Sequence, residues 1–308
     1  MRVPFDWRLD FRNAFRILRL RRMLGVHFHR LAYRCWLALR LGVLKMSVIR
    51  SIPLRIALFA SALLLIGTSG SVQAVDKLRV AVEGAYPPFS WKEPDGTLKG
   101  FDIDIASAVC VFTKRECVLV EQEWDGMIPG LLARKYDVII ASMSITEERK
   151  KKIDFTDKYY NTPAMLVAKA ESGLTPTRAG LAGKRIGVQR ATTHQCHADK
   201  VFTDSEIVLY QTQEEVFQDL VNGRLDVQLS DSIQAQTGFL AQPQGRGYAF
   251  LGDAINDKAC FGEGAGFALR KQDKQLTELM NKAIAALRAN GTYQRINDKY
   301  FKVDVYGE

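Results

Sequence analysis

Tyr136-Asp-Val-Ile-Ile-Ala-Ser-Met-Ser-Ile-Thr-Glu-Glu-Arg149 divides into a strand, a turn and a helix start. Its apolar opening, Tyr136 to Ala141, reads as a buried strand. Ser144 with Glu147 has the S-x-x-E spacing of a capping box, which predicts a helix beginning there with Arg149 just past its first turn. A strand end, the hydroxyls of Ser142 and Ser144, unpaired helix amides and a guanidinium would then converge on one point, a combination that suits a carboxylate. The planar guanidinium adds roughly 1.5–3 kcal/mol per charged hydrogen bond. The same residues also fit an ordinary capped surface helix with a solvated arginine, so the rest of the chain has to choose.

The pattern repeats. Leu131 to Ser142, with Asp137 before its apolar run, resembles Leu220 to Asp231, with Asp226 in the same place, at an offset of 89 residues. Ser142 and Asp231 therefore fall at matching strand ends. Around these two units, short strands alternate with helices: 78–82, 117–120, 136–141, 164–168, 184–189, 207–210, 225–229 and 267–270 read as strands. Segments from Gly100, Gly126, Thr192, Glu214, Ser232, Leu276 and Thr292 read as helices. That alternation implies an α/β fold with largely parallel strands. Ligands of open α/β sheets bind beyond the carboxyl ends of the strands, so two such sheets facing each other would make a cleft. Thr192-Thr193-His194-Gln195 follows a strand with T-x-x-Q spacing and supplies a second helix start. Asp231 suits an N-cap, and it equally suits an ammonium. A carboxylate clamp in one unit and a carboxylate in the other together describe a site for an α-amino acid.

The formal charge of +9 does not point to nucleic acid. Residues 1–45 hold +9 and residues 46–74 a further +2, which leaves −2 for 75–308. Residues 46–74 read as a signal peptide: Arg50 and Arg55, an apolar core of 12 residues from Ile56 to Gly67, and the small-residue signal Val72-Gln-Ala74. The arginine-rich stretch 1–45 does not fit ahead of such a signal and is read as an extension of the gene model, with translation starting at Met46. Export to an oxidising compartment favours disulfides among Cys110, Cys117, Cys196 and Cys260. Cys110 and Cys117 flank a helix-to-strand turn and are expected to pair; Cys196 with Cys260 is left by arithmetic alone. No C-x-x-C occurs, and no metal site or cofactor is expected.

Gly100-Phe-Asp-Ile-Asp-Ile-Ala106, Ala141 to Arg149, Asp154 to Tyr160 and the Asn290-Gly-Thr-Tyr293 ending resemble the type 3 family of periplasmic solute-binding proteins, in particular the branch that binds lysine, arginine, ornithine or histidine. The resemblance covers 76–308 and implies a two-lobed fold: two mixed sheets with flanking helices, joined by two hinge strands. It places 75–164 with 268–308 in one lobe and 170–262 in the other. It also implies roles. Arg149 would hold the ligand α-carboxylate with Ser144 and the Thr192-Thr193 helix start, while Ser142 and Asp231 would take the α-ammonium. Tyr86 and Trp124 would sandwich the side chain, and Glu83 would face its distal cation with Asp102 nearby. The Cys110–Cys117 spacing matches a disulfide of that branch.

Two departures from the pattern matter. Ala141 stands where relatives often carry a third serine, and Gln189 stands where several have an apolar residue. An amide can accept from a guanidinium, so Gln189 favours arginine. The expectation is a monomeric periplasmic receptor for a basic L-amino acid, serving a membrane ABC permease and catalysing no reaction. An opine or other polar amino acid as ligand, and a dehydratase on the same fold, are the alternatives.

Overall fold

In the computed structural model, which describes residues 77–307, two five-stranded sheets each carry helices on both faces. The readings made for residues 1–74 lie outside the described residues. The chain opens with β1 (Lys77–Val82), three short strands β2 (Ala85–Tyr86), β3 (Ser90–Lys92) and β4 (Leu98–Lys99), and helix α1 (Phe101–Thr113). It continues through β5 (Glu116–Glu121), α2 (Met127–Leu132), β6 (Val138–Ile139), α3 (Glu147–Lys150) and β7 (Asp154–Tyr160). Then come β8 (Ala164–Lys169), β9 (Arg185–Gln189), α4 (Thr193–Val201), β10 (Glu206–Tyr210), α5 (Gln213–Val221), β11 (Val227–Asp231), α6 (Ser232–Ala235) and β12 (Tyr248–Ile255). The short helix α7 (Lys258–Phe261) leads into β13 (Ala265–Leu269), α8 (Lys274–Ala289) and α9 (Thr292–Tyr300).

The first sheet has the order β5-β1-β6-β13-β7 and the second β10-β9-β11-β8-β12. In the first, β1 pairs parallel with β5 and β6, and β13 returns antiparallel to β6 and β7. In the second, β9 pairs parallel with β10 and β11, and β8 runs antiparallel to β11 and β12. The chain crosses from the first sheet to the second through 161–163 and comes back through 256–264. The first crossing precedes the expected 164–170, because Ala164–Lys169 is already paired to β11 and β12.

Burial follows the pleat. In β1, Val80 and Val82 join one core and Ala81 the core on the opposite face. In β8, Leu166 and Ala168 face one side and Val167 the other. Apolar residues at consecutive positions mark strands covered on both faces. Helix α8 buries Thr277, Met280, Ala283, Ile284 and Leu287, one stripe at helical spacing. A capping box between Thr212 and Glu215 starts α5.

The internal repeat has a physical basis. Asp137 accepts from Arg79 N at 3.1 Å and Asp226 accepts from Arg185 N at 2.8 Å. In each unit an aspartate thus ties the start of one parallel strand to an arginine on its neighbour. The preceding turn needs left-handed backbone at Arg134 and at Gly223, which stand 89 residues apart.

Some elements are shorter than the sequence implies. β6 is confined to Val138–Ile139, and the helix expected from Gly126 is regular only over Met127–Leu132. The helix expected over 232–240 keeps α-geometry for Ser232–Ala235 and widens to a π-turn over Gln236–Leu240. Cys110–Cys117 fastens α1 to β5, and Cys196–Cys260 is also formed, linking α4 to α7 with Cα atoms 5.6 Å apart.

Candidate functional site

Each parallel strand at the centre of a sheet ends in a polar residue or leads to one within three residues. Glu83 follows β1, Ser142 follows β6, Gln189 closes β9 and Asp231 closes β11. All four line one cavity, with Tyr86, Trp124, Ser144, Arg149, Thr192 and Thr193. The cleft holds about 640 Å³ of space outside atoms, part of it open to solvent. The lobes touch across it. Gln189 Nε2 donates to Glu83 Oε1 at 2.6 Å, Trp124 Nε1 donates to Ala191 O at 3.1 Å, and Arg190 pairs with Asp125 at 2.7 Å.

Arg149 reaches the cavity by a different local structure from the one expected. Thr146, not Ser144, caps α3, its hydroxyl accepting from Arg149 N at 3.3 Å. Ser144 is drawn instead into a β-bridge with Ala265. Arg149 is therefore inside a four-residue helix, and the guanidinium rather than a row of free amides is the donor at this corner. Its Nη1 donates to Ser144 O at 2.9 Å, its Nη2 to Ala191 O at 3.4 Å, and its Cζ lies 5.3 Å from the Trp124 ring centroid. Among the described residues no carboxylate pairs with it. Burial lowers its pKa to about 10, so it stays cationic at neutral pH.

The acids behave in the opposite sense. Burial pushes the Glu83 carboxyl up to about 7, although the Gln189 hydrogen bond pulls against it. Asp231 is raised by burial to about 6, against hydrogen bonds from Thr162, Gln234 N and Ile233 N. Asp231 thus caps α6 through Oδ1 while Oδ2 takes the Thr162 hydroxyl from the first crossing. Asp102 is not on the cavity wall. It is fully buried behind it, accepting from Ser142 Oγ at 2.9 Å and Tyr159 OH at 2.6 Å, and burial raises it to about 7. From the first turn of α1 it reaches the segment after the central strand β6, where it accepts from Ser142, whose φ is a left-handed 56°.

The profile of bacterial extracellular solute-binding proteins, family 3, matches residues 78–303. The chain belongs to that family. An L-arginine-binding protein of Pseudomonas aeruginosa is 51% identical over 76% of this chain and 92% of its own length. A histidine-binding periplasmic protein of Salmonella typhimurium is 44% identical over 75% of this chain and 90% of its own. A solved periplasmic binding protein from Salmonella typhimurium, described as highly arginine-specific, superposes with a TM-score of 0.69 at 30% identity, over 74% of this chain and 100% of that one.

This solute-binding protein also lines its cavity with residues that its sequence did not single out as site residues, among them Tyr160 at the end of β7, Asn161 and Thr162 at the first crossing, His194, and Phe261 with Gly264 at the second. His194 reads as an exposed helix position, yet its ring faces the cavity 5.7 Å from that of Phe261. Burial, Arg149 and His197 lower its pKa to about 3, so it is neutral at physiological pH.

The buried acids set a pH dependence for the free protein. Glu83, Asp102 and Asp231 hold their protons to about 7, 7 and 6, well above the pH at which an unfolded chain releases them. Each therefore stabilises the fold at low pH and loses that contribution as pH rises through its folded pKa, at about 1.4 kcal/mol per pH unit. His194 works in the other direction below 6.5, one group against three. The thermal midpoint of ligand-free protein should be higher at pH 5.5 than at pH 7.5 by differential scanning calorimetry. A midpoint that climbs over that interval would contradict the burial of these acids.

Proposed function

We propose that this chain is an exported receptor that binds a basic L-amino acid between its lobes, arginine before lysine, ornithine or histidine, and delivers it to an ABC importer. The observation that carries this reading is the charge of the cavity wall. Arg149, Glu83 and Asp231 sum to −1 when ionised, with His194 neutral. The complement is a ligand of net +1 with one carboxylate and two cations, which describes a basic amino acid at neutral pH. Arg149 would take the α-carboxylate, Asp231 the α-ammonium and Glu83 the distal cation. Tyr86 and Trp124 add aromatic faces, worth roughly 0.5–2 kcal/mol where they cover a cation.

Gln189 supports arginine in particular. Its amide nitrogen is engaged by Glu83 and by Gln211 O at 3.1 Å, which leaves the amide oxygen to accept from a guanidinium beside the Glu83 carboxylate. The relatives described above, one an arginine-binding and one a histidine-binding protein, agree with a cationic side chain. A thermal-shift screen against the twenty amino acids tests the reading, because a ligand bound only by the native state raises the midpoint by mass action. Arginine should give the largest shift and acidic amino acids none; a largest shift with a neutral or acidic amino acid would refute it.

A further inference from the structure

The cavity has a wall that its polar residues do not explain. Phe261 and His194 come from α7 and α4, and Phe261 also stacks on His197 with ring centroids 5.4 Å apart. Three separate devices fix this wall. The Cys196–Cys260 disulfide ties α7 to α4. His197 Nδ1 lies 2.9 Å from Asp257 Oδ2, and the same aspartate caps α7 through Ala259 N and Cys260 N. Beyond Phe261 the chain is pinned to the other lobe: Ile145 N donates to Gly264 O at 2.8 Å and Glu263 N donates to Ile145 O at 3.2 Å. That approach requires glycine at 262, where φ is +72° and a Cβ would meet Ile145 O at 1.9 Å.

The wall stands at one end of the site. Ser144, next to the pinned Ile145, receives Arg149 Nη1, and Ala191, three residues before His194, receives Nη2. The wall therefore closes the corner where Arg149 presents its guanidinium. We infer that Phe261 and His194, braced by the Cys196–Cys260 disulfide, form a specificity wall that admits a free α-carboxylate and rejects ligands extended beyond it, such as peptides that begin with the same amino acid. This rests on the reading of Arg149 as the α-carboxylate clamp. A rigid wall selects by exclusion, which discriminates against the larger ligand without strengthening the smaller one. The disulfide matters because a wall free to move would yield to the extra atoms.

The test is titration calorimetry of the oxidised protein with arginine and with arginylglycine. The unaltered protein should prefer arginine by at least about a hundredfold. Phe261→Ala should narrow that preference about tenfold or more, with His194→Ala acting in the same direction. Reducing the unaltered protein with a phosphine, after thermal melting has shown that it stays folded, should narrow it as well; that measurement stands independently if Phe261→Ala fails to fold. Arginine binding with an undiminished preference in the folded variants and in the reduced protein would overturn the wall alone. So would an unaltered protein that takes arginylglycine as readily as arginine. If no free basic amino acid binds the unaltered protein, the proposed function falls and the wall with it.

Discussion

Arg149→Ala is expected to remove amino acid binding while the protein remains folded. Two charge-assisted hydrogen bonds to a carboxylate, at roughly 1.5–3 kcal/mol each, put the loss at about a hundred- to ten-thousandfold in affinity. The fold should tolerate the change. The guanidinium donates only to two backbone carbonyls, rests against Trp124 and is disfavoured by burial, so its removal takes an unpaired charge out of the cleft. The thermal midpoint of ligand-free protein should hold or rise, and calorimetric titration with arginine should become featureless. Retained affinity would remove Arg149 from the carboxylate site, and a collapsed fold would assign it a structural role instead.

The second large effect concerns charge selectivity. Glu83→Gln should cost arginine far more affinity than citrulline, which has the same shape with a neutral tip. The substitution is conservative for the fold, since the new amide oxygen can still accept from Gln189 Nε2, which donates at 2.6 Å to the native carboxylate. What it removes is the one buried carboxylate that the proposed pose sets opposite the distal cation. Losing one partner of a buried charge pair costs about 3–5 kcal/mol, most of it for the charge left behind, so arginine should weaken by about two to three and a half orders of magnitude. Lowering the pH through 7 should mimic the substitution in part, because it protonates Glu83. Arginine affinity should thus fall as pH drops while the ligand-free fold gains stability. Equal losses for arginine and citrulline would take Glu83 out of the side-chain pocket.

Much of this site was legible because it sits where apolar strands stop. Glu83, Ser142, Gln189 and Asp231 each close or follow a run of residues buried on both faces, and such runs are visible without a structure. The Thr192 cap was legible for the same reason, a β-branched hydroxyl three residues past the end of a strand, and it accepts from Gln195 N at 3.2 Å. Local pattern failed where tertiary pairing decided between equivalent residues. Ser144 and Thr146 both suit a cap, and the bridge from Ser144 to Ala265 left the role to Thr146. Asp102 carries no local sign that it points behind the cavity rather than into it; Ser142 and Tyr159, 40 and 57 residues away, orient it.

Strands β7 and β12 were unreadable for a related reason. Both are edge strands, and their polar residues, Asp154, Asp157 and Lys158 in one and Asp253 in the other, break the apolar run that marks a central strand. The Phe261 and His194 wall is assembled by a disulfide that spans 64 residues, and cysteine parity alone cannot say which cysteines meet. The repeat at an offset of 89 residues was visible, but its cause, an aspartate tied to the neighbouring strand's arginine, required the sheet register.

A cleft built for an amino acid with a cationic side chain must tell a charged tip from a neutral one of the same shape. Titration calorimetry of the purified protein with arginine and with citrulline at pH 7.5 tests that discrimination most directly. Arginine should bind with a Kd between about micromolar and nanomolar, and citrulline at least about a hundredfold more weakly. Citrulline binding as tightly as arginine, or no heat with either, would contradict a cleft of this kind.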